Sequence, residues 1–139
     1  MSFEHIAKIA GSAMAAQTVR LNTIASNLAN ADAVAGNETD TYRARKPVFA
    51  TVMGQGFDRQ DAGGRVQVLD VVQSAEPLRK VYEPGNPLAS EDGMVFYPNV
   101  NPVAEMTDMM SASRAFETNV EVLSRVKSMQ ASLLKLGEG

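Results

Sequence analysis

Two runs of apolar residues at helical spacing, one at each end of the chain, restrict the folds open to it more than any other feature. Phe3, Ala7, Ala10, Met14, Gln17, Leu21, Ile24 and Leu28 follow one another at alternating steps of four and three, which lines one stripe along an α-helix. Ile6, Ala13 and Ala25 widen that stripe, and Glu4 and Lys8 stand at the i, i+4 spacing of a favourable ion pair. Asn30 is placed to close the helix in the left-handed conformation. In the last third, Asn101-Pro102 supplies a cap and a proline suited to the first helical position. Met109, Phe116 and Leu123 then recur every seven residues, Val120 and Val126 bridge them, and Leu133 and Leu136 carry the stripe to Gly137. The spacing predicts helices over 3–29 and 103–136, roughly 40 Å and 50 Å long at about 1.5 Å per residue.

The segment between them reads differently. Gly and Pro concentrate there, and β-branched runs with a period of two occur at 48–52, 66–72, 80–82 and 94–97, predicting three or four short strands. Gly54, Gly56, Gly63 and Gly64 with Asp58 and Asp61 predict a turn, and Asp92-Gly93 a hairpin turn. The stretch 33–41 is small, polar and unpatterned, which predicts a mobile loop. The expected fold is therefore mainly α with a small β-rich insert: 1–30 and 103–137 pair as one coiled-coil layer, and 31–102 forms a loop and a small β-rich module.

Composition removes most chemistry. With no Cys and only His5, thiolate zinc sites, Cys nucleophiles and His-based triads have no residues to build on. Glu91-Asp92 suits a turn better than acid–base work, and neither Gly54-x-Gly56 nor Gly63-Gly64 has the spacing of a phosphate loop. No catalytic residue, metal ligand or cofactor is assigned, and the chain is not expected to be an enzyme. Thirteen Lys and Arg against sixteen Asp and Glu leave a net charge of −3, which gives nucleic acid or an anionic membrane little to hold. Glu4 and Lys8 interrupt the N-terminus, so it does not read as a secretory signal, and no uncharged run nears the ~20 residues of a membrane span.

The stripes are wider than a two-helix seam requires, since Met106, Val122 and Met129 flank the second as Ile6, Ala13 and Ala25 flank the first. Apolar surface of that kind predicts association, and head-to-tail association builds rings or helical filaments. The candidate assembly residues are Met14, Leu21, Ile24, Asn27, Leu28 and Asn30 on the first helix. On the second they are Met106, Met109, Phe116, Val120, Leu123, Val126, Leu133 and Leu136. Tyr82, Glu83, Pro84, Gly85, Asn86 and Pro87 form a candidate rigid contact loop, with two prolines restricting the backbone and Gly85 permitting a tight turn. Plainer readings stand beside these. Asn27 faces solvent, Asn30 only caps its helix, Met106, Met109 and Met110 belong to a coiled-coil core, and Arg43, Arg45 and Lys46 line a solvated strand face.

Ile24-Ala25-Ser26-Asn27-Leu28-Ala29-Asn30 resembles the Asn-Leu-Ala-Asn signature of the bacterial flagellar axial proteins, which build rod, hook and junctions. The likeness extends through Tyr42-Arg43-Ala44-Arg45, Pro47-Val48-Phe49, Val81-Tyr82-Glu83-Pro84-Gly85-Asn86-Pro87-Leu88-Ala89 and Pro98-Asn99-Val100. It continues in Glu105-Met106, Met110-Ser111-Ala112-Ser113-Arg114-Ala115-Phe116 and the segment from Lys127-Ser128-Met129 to Leu136-Gly137. The Tyr-Glu-Pro-Gly-Asn-Pro block is the specific part. This resemblance implies a subunit of the proximal rod, the periplasmic drive shaft of the basal body. It also implies export by the flagellar type III apparatus without a cleaved signal. The implied partners are copies of itself, the rod proteins FlgB and FlgF, and the adaptor FliE, with no nucleic acid and no direct membrane insertion. The alternatives are another short axial protein such as FlgB, and a soluble helical adaptor or export chaperone.

Overall fold

Ser2 starts the first helix by accepting a hydrogen bond from the His5 amide at 3.2 Å, and α1 runs Phe3–Ala29. The computed structural model describes residues 2–53 and 63–139; Gly54, Gly56, Asp58 and Asp61 of the expected turn lie outside the described residues. The Glu4–Lys8 pair forms at 2.6 Å and holds the Glu4 carboxyl below its ordinary range. Asn30 closes α1 at φ −105° and ψ 7°, with its side-chain amide donating to the Ser26 carbonyl at 2.8 Å. It is thus a cap, but the expected left-handed conformation is corrected: a side chain that itself bonds the exposed carbonyl removes the need for it.

The last helix, α2, runs Pro102–Glu138; Asn101 caps it by accepting from the Ala104 amide at 3.3 Å. Gly137, the expected stop, lies inside it. The two helices are antiparallel. Arg20 meets Asp108 at 3.4 Å near one end, while Phe3 lines a recess with Gln130, Leu133 and Leu134 at the other. Along α2 the inward line is Glu105, Met109, Ala112, Phe116, Asn119, Leu123 and Val126, all buried or half-buried at alternating steps of four and three. Ala10 and Ile24 from α1 and Ala112 and Val126 from α2 are its most deeply buried apolar members, and small alanines allow a close approach. Gln17 interrupts this apolar character, and its Oε1 is buried without a partner among the described residues.

Between the helices lie β1 (Arg45–Val52), β2 (Arg65–Gln73), β3 (Arg79–Tyr82) and β4 (Met94–Tyr97). These are the four expected strands, the first pair slightly longer than expected. They form two antiparallel ribbons, β1 with β2 and β3 with β4, and a bulge between Val48 and Phe49 shifts the first register. The β1–β2 ribbon lies on a second flank of α1, the one that carries Ala13, Ala16 and Gln17, and Ser12 Oγ accepts from the Val66 amide at 3.1 Å.

The loop 33–41, expected to be mobile, is tied down. Ala35 and Phe96 exchange both backbone hydrogen bonds (3.1 and 2.8 Å), and Thr41 is buried. A Cβ on Gly36 would meet the Leu88 carbonyl oxygen at 2.6 Å, so only glycine lets these two backbones approach. Small residues serve this close approach, and the partners are too distant in sequence to leave a local pattern.

Candidate assembly surface

The sequence placed Asn27 either against a neighbour or in solvent; the solvent reading is corrected, because the side chain is buried within its own chain. Asn27 is 1% exposed. Its Nδ2 donates to the Arg45 carbonyl at 2.9 Å, and its Oδ1 accepts from the Arg45 amide at 2.9 Å and the Tyr42 hydroxyl at 2.8 Å. The carboxamide thus does for Arg45 what a neighbouring strand's peptide would do. From the other side Asn99 Oδ1 accepts from the Ala44 amide at 2.7 Å, while its Nδ2 reaches the carbonyls of Ser74 (3.4 Å) and Glu76 (2.9 Å). Two asparagines therefore staple the start of β1 to α1 and to the end of β2. Sequence reasoning quoted Pro98-Asn99-Val100 without seeing its part, and an asparagine beside a proline was the available signal. Arg43 is also partly used internally, donating to the Glu76 carbonyl at 3.1 Å, whereas Arg45 and Lys46 stay exposed.

The candidate contact loop is braced from within. Glu83 accepts from the Tyr97 hydroxyl at 2.9 Å and from Asn86 Nδ2 at 3.0 Å, and Asn86 Oδ1 accepts from the Leu88 amide at 2.9 Å. The bonds from Asn86 first and Tyr97 second hold the Glu83 carboxyl below its ordinary range, and the carboxylate in turn raises Tyr97. Arg79 stacks over the Tyr97 ring at 4.5 Å. Of the two expected turn glycines, it is Gly93 of the Asp92-Gly93 turn, not Gly85, that the backbone requires. Gly85 has open space around its Cβ position, whereas Gly93 sits at φ +73°, where a Cβ would meet Tyr82 at 2.8 Å. The bracing leaves Tyr82 and Leu88 exposed on the rim of the ribbon.

The remaining assembly candidates divide into two groups. Ile24 and Val126 are buried, and Met14, Leu21, Leu28, Met109, Phe116 and Leu123 half-buried, mostly along the α1–α2 seam of their own chain. Ile24, Asn27 and Val126 are enclosed within their own chain. Met106, Val120, Leu133 and Leu136 face out. Val120 falls on the outer side because the inward steps pass through Phe116, Asn119 and Leu123.

The outward residues extend into two patches. Val103, Met106 and Met110, at i, i+3, i+7, form a stripe on the first turns of α2, each more than half exposed. At the other end every residue beyond Val126 is exposed, including Met129, Leu133, Leu134 and Leu136. Apolar residues clustered like this on two ends of one helix are suited to contact with other chains. Among the described residues no group of acidic, His or Cys side chains could hold a metal, and no helix is long and apolar enough to cross a membrane.

Comparison with known proteins agrees with this architecture. Residues 8–36 match the family described as flagella basal body rod protein, and residues 91–136 match the family described as flagellar basal body rod FlgEFG protein C-terminal. Over 99% of its length the chain is 50% identical to the flagellar basal-body rod protein FlgC of Salmonella typhimurium, covering all of that protein. The corresponding figures for the FlgC proteins of Escherichia coli O6:H1 and Bacillus subtilis are 51% and 32%, again over 99% of this chain and all of each relative.

Proposed function

The chain belongs to the FlgC family of flagellar basal-body rod proteins and is a structural subunit of that rod, and from that premise we propose that it occupies the proximal part of the shaft and transmits torque through its helices. The observation that carries this reading is the pair of apolar patches left on α2 once α1 and the β1–β2 ribbon have covered its chain's core. In this reading neighbouring subunits cover them, and the α1–α2 seam gives each subunit a stiff member along the shaft. Packed interiors transmit strain well because they have low compressibility.

The proposal extends to the partners. Other copies, FlgB, FlgF and the adaptor FliE surround the subunit, and the type III export apparatus delivers it without a cleaved signal. The outward face of the braced loop, with Tyr82, Pro84 and Pro87, serves as a second contact region beside the helices. Electron microscopy and mass spectrometry of basal bodies, from cells with and without the chain, test this. Rings without a rod in its absence support the reading. Intact rods in its absence would point instead to an adaptor or export chaperone.

A further inference from the structure

A two-stranded ribbon has two edges, and each offers a row of unpaired backbone groups on which another strand can add. The β1–β2 ribbon is a strong template for such addition. β2 runs nine residues without Pro or Gly, and Leu69, Val71 and Val72 are exposed along it, the composition of segments that stack into cross-strand aggregates. In an antiparallel pair every second residue turns its N–H and C=O away from the partner strand.

α1 caps part of each edge. Near its start it meets the β2 edge, where Ser12 Oγ accepts from the Val66 amide at 3.1 Å. Near its end it meets the β1 edge, where Asn27 holds both the amide and the carbonyl of Arg45 at 2.9 Å. The helix thus passes from one edge to the other, and the stretches it does not cap are β1 from Pro47 onward and β2 from Val68 onward. Pro47 shares the outward phase of Arg45, two residues away, and has no N–H to offer. Val71 is its partner in the register, so the Val71 amide also points outward. Asp70 Oδ1 accepts from that amide at 2.7 Å, on an exposed stretch of the strand. The bulge between Val48 and Phe49 breaks the regular ladder beside them.

We propose that Pro47 and Asp70 close the uncapped stretches of the β1–β2 ribbon to strand addition, so that copies of the folded chain do not join by β-pairing. The two residues decide which contacts between copies are allowed. Apolar helix patches bring copies together, and the closed edges keep the ribbon from offering a competing contact.

The test uses the purified full-length chain and a labelled synthetic peptide of residues 65–73 carrying the Asp70→Ala change. Retention of the peptide is read together with thioflavin T fluorescence and circular dichroism. The parent is expected to retain no peptide and to stay thioflavin-negative. Asp70→Ala frees the Val71 amide, and Pro47→Val adds an outward donor. The double variant is expected to retain at least about tenfold more peptide, and to form thioflavin-positive assemblies from a state with the parent's helical signal. Asp70→Asn keeps a carbonyl oxygen for the Val71 amide and is expected to behave as the parent does. Asp70 is exposed, so Asp70→Ala alone carries the test if Pro47→Val unfolds the chain. A parent that retains the peptide as the variants do, or folded variants that retain none, overturns the proposal. So does an Asp70→Asn chain that retains as much as Asp70→Ala.

Discussion

Replacing Asn27 with Leu preserves the side chain's approximate volume and removes all three of its hydrogen bonds, so it measures what the asparagine staple contributes to the fold. Leaving a buried polar group unpaired costs about 1–3 kcal/mol. The full sum does not apply, because Arg45 lies at the surface and its peptide groups regain water, and the Tyr42 hydroxyl keeps Ser26 Oγ at 3.1 Å. The expected loss is about 3 kcal/mol, a large part of the ~5–15 kcal/mol that holds a typical domain together. At a slope of about 2 kcal/mol per molar urea this moves the unfolding midpoint down by about 1.5 M. It lowers the melting temperature by roughly 10 °C. Urea titration followed by far-ultraviolet circular dichroism reads it directly. Tyr42→Phe alone should cost about 1 kcal/mol, and the double variant should cost less than the two singles together, because both remove the 2.8 Å bond between them. A midpoint for Asn27→Leu within about 0.3 M of the parent, or strict additivity in the cycle, would refute the staple.

Leu123→Asp places a charge in the α1–α2 seam, where Leu123 is half-buried, and should lower stability by about 3 kcal/mol and abolish incorporation into basal bodies; normal motility in that strain counts against the helical seam. Gly93→Ala should destabilise the chain by about 1–2 kcal/mol because of its positive φ and the nearby Tyr82, while Gly85→Ala should be neutral or slightly stabilising; equal melting temperatures would show that the turn is not strained at Gly93. The lowered Glu83 carboxyl contributes stability above its unfolded value, and that contribution disappears as pH falls through the lowered folded value. Glu83→Gln should therefore be less stable than the parent near neutral pH and converge with it in strong acid; a gap that persists unchanged in acid removes the ionised carboxylate from the account. The raised Tyr97 hydroxyl works in the other direction: its contribution holds below the ordinary tyrosine range and fades as pH rises through the raised value.

How much of this was legible in the sequence depended on the range of each interaction. Phe3 to Leu28 and Met109 to Val126 announce helices because every residue in the seam repeats a local spacing, and the strand runs announce themselves by alternation. Asn27 and Asn99 did not, because their bonds to Arg45 and Ala44 span 18 and 55 residues and leave no periodic trace. The same holds for Ala35 and Phe96, whose pairing turned an expected mobile loop into an ordered one. For the candidate surface, the stripes were visible but not their division. Burial of Val126 and exposure of Val120 follow from which side of α2 meets α1, and a stripe wide enough for two partners does not say which residue serves which. Gly85 stood out through its prolines, although the backbone reserves its positive φ for Gly93.

The antiparallel seam joins the first and last elements of the chain, and this has a kinetic consequence. The partner of Phe3 and Ala10 lies more than a hundred residues downstream, so while the chain emerges in order, α1 has no seam to enter until α2 exists. Isolated amphipathic helices draw most of their stability from packing, so the early segment gains little by folding first. Closing so long a loop also comes late on the folding path. A chain threaded end to end through a narrow passage can therefore close this seam only after the residues up to Val126 have followed, whereas the contacts of α1 with the β1–β2 ribbon need only the first half of the chain.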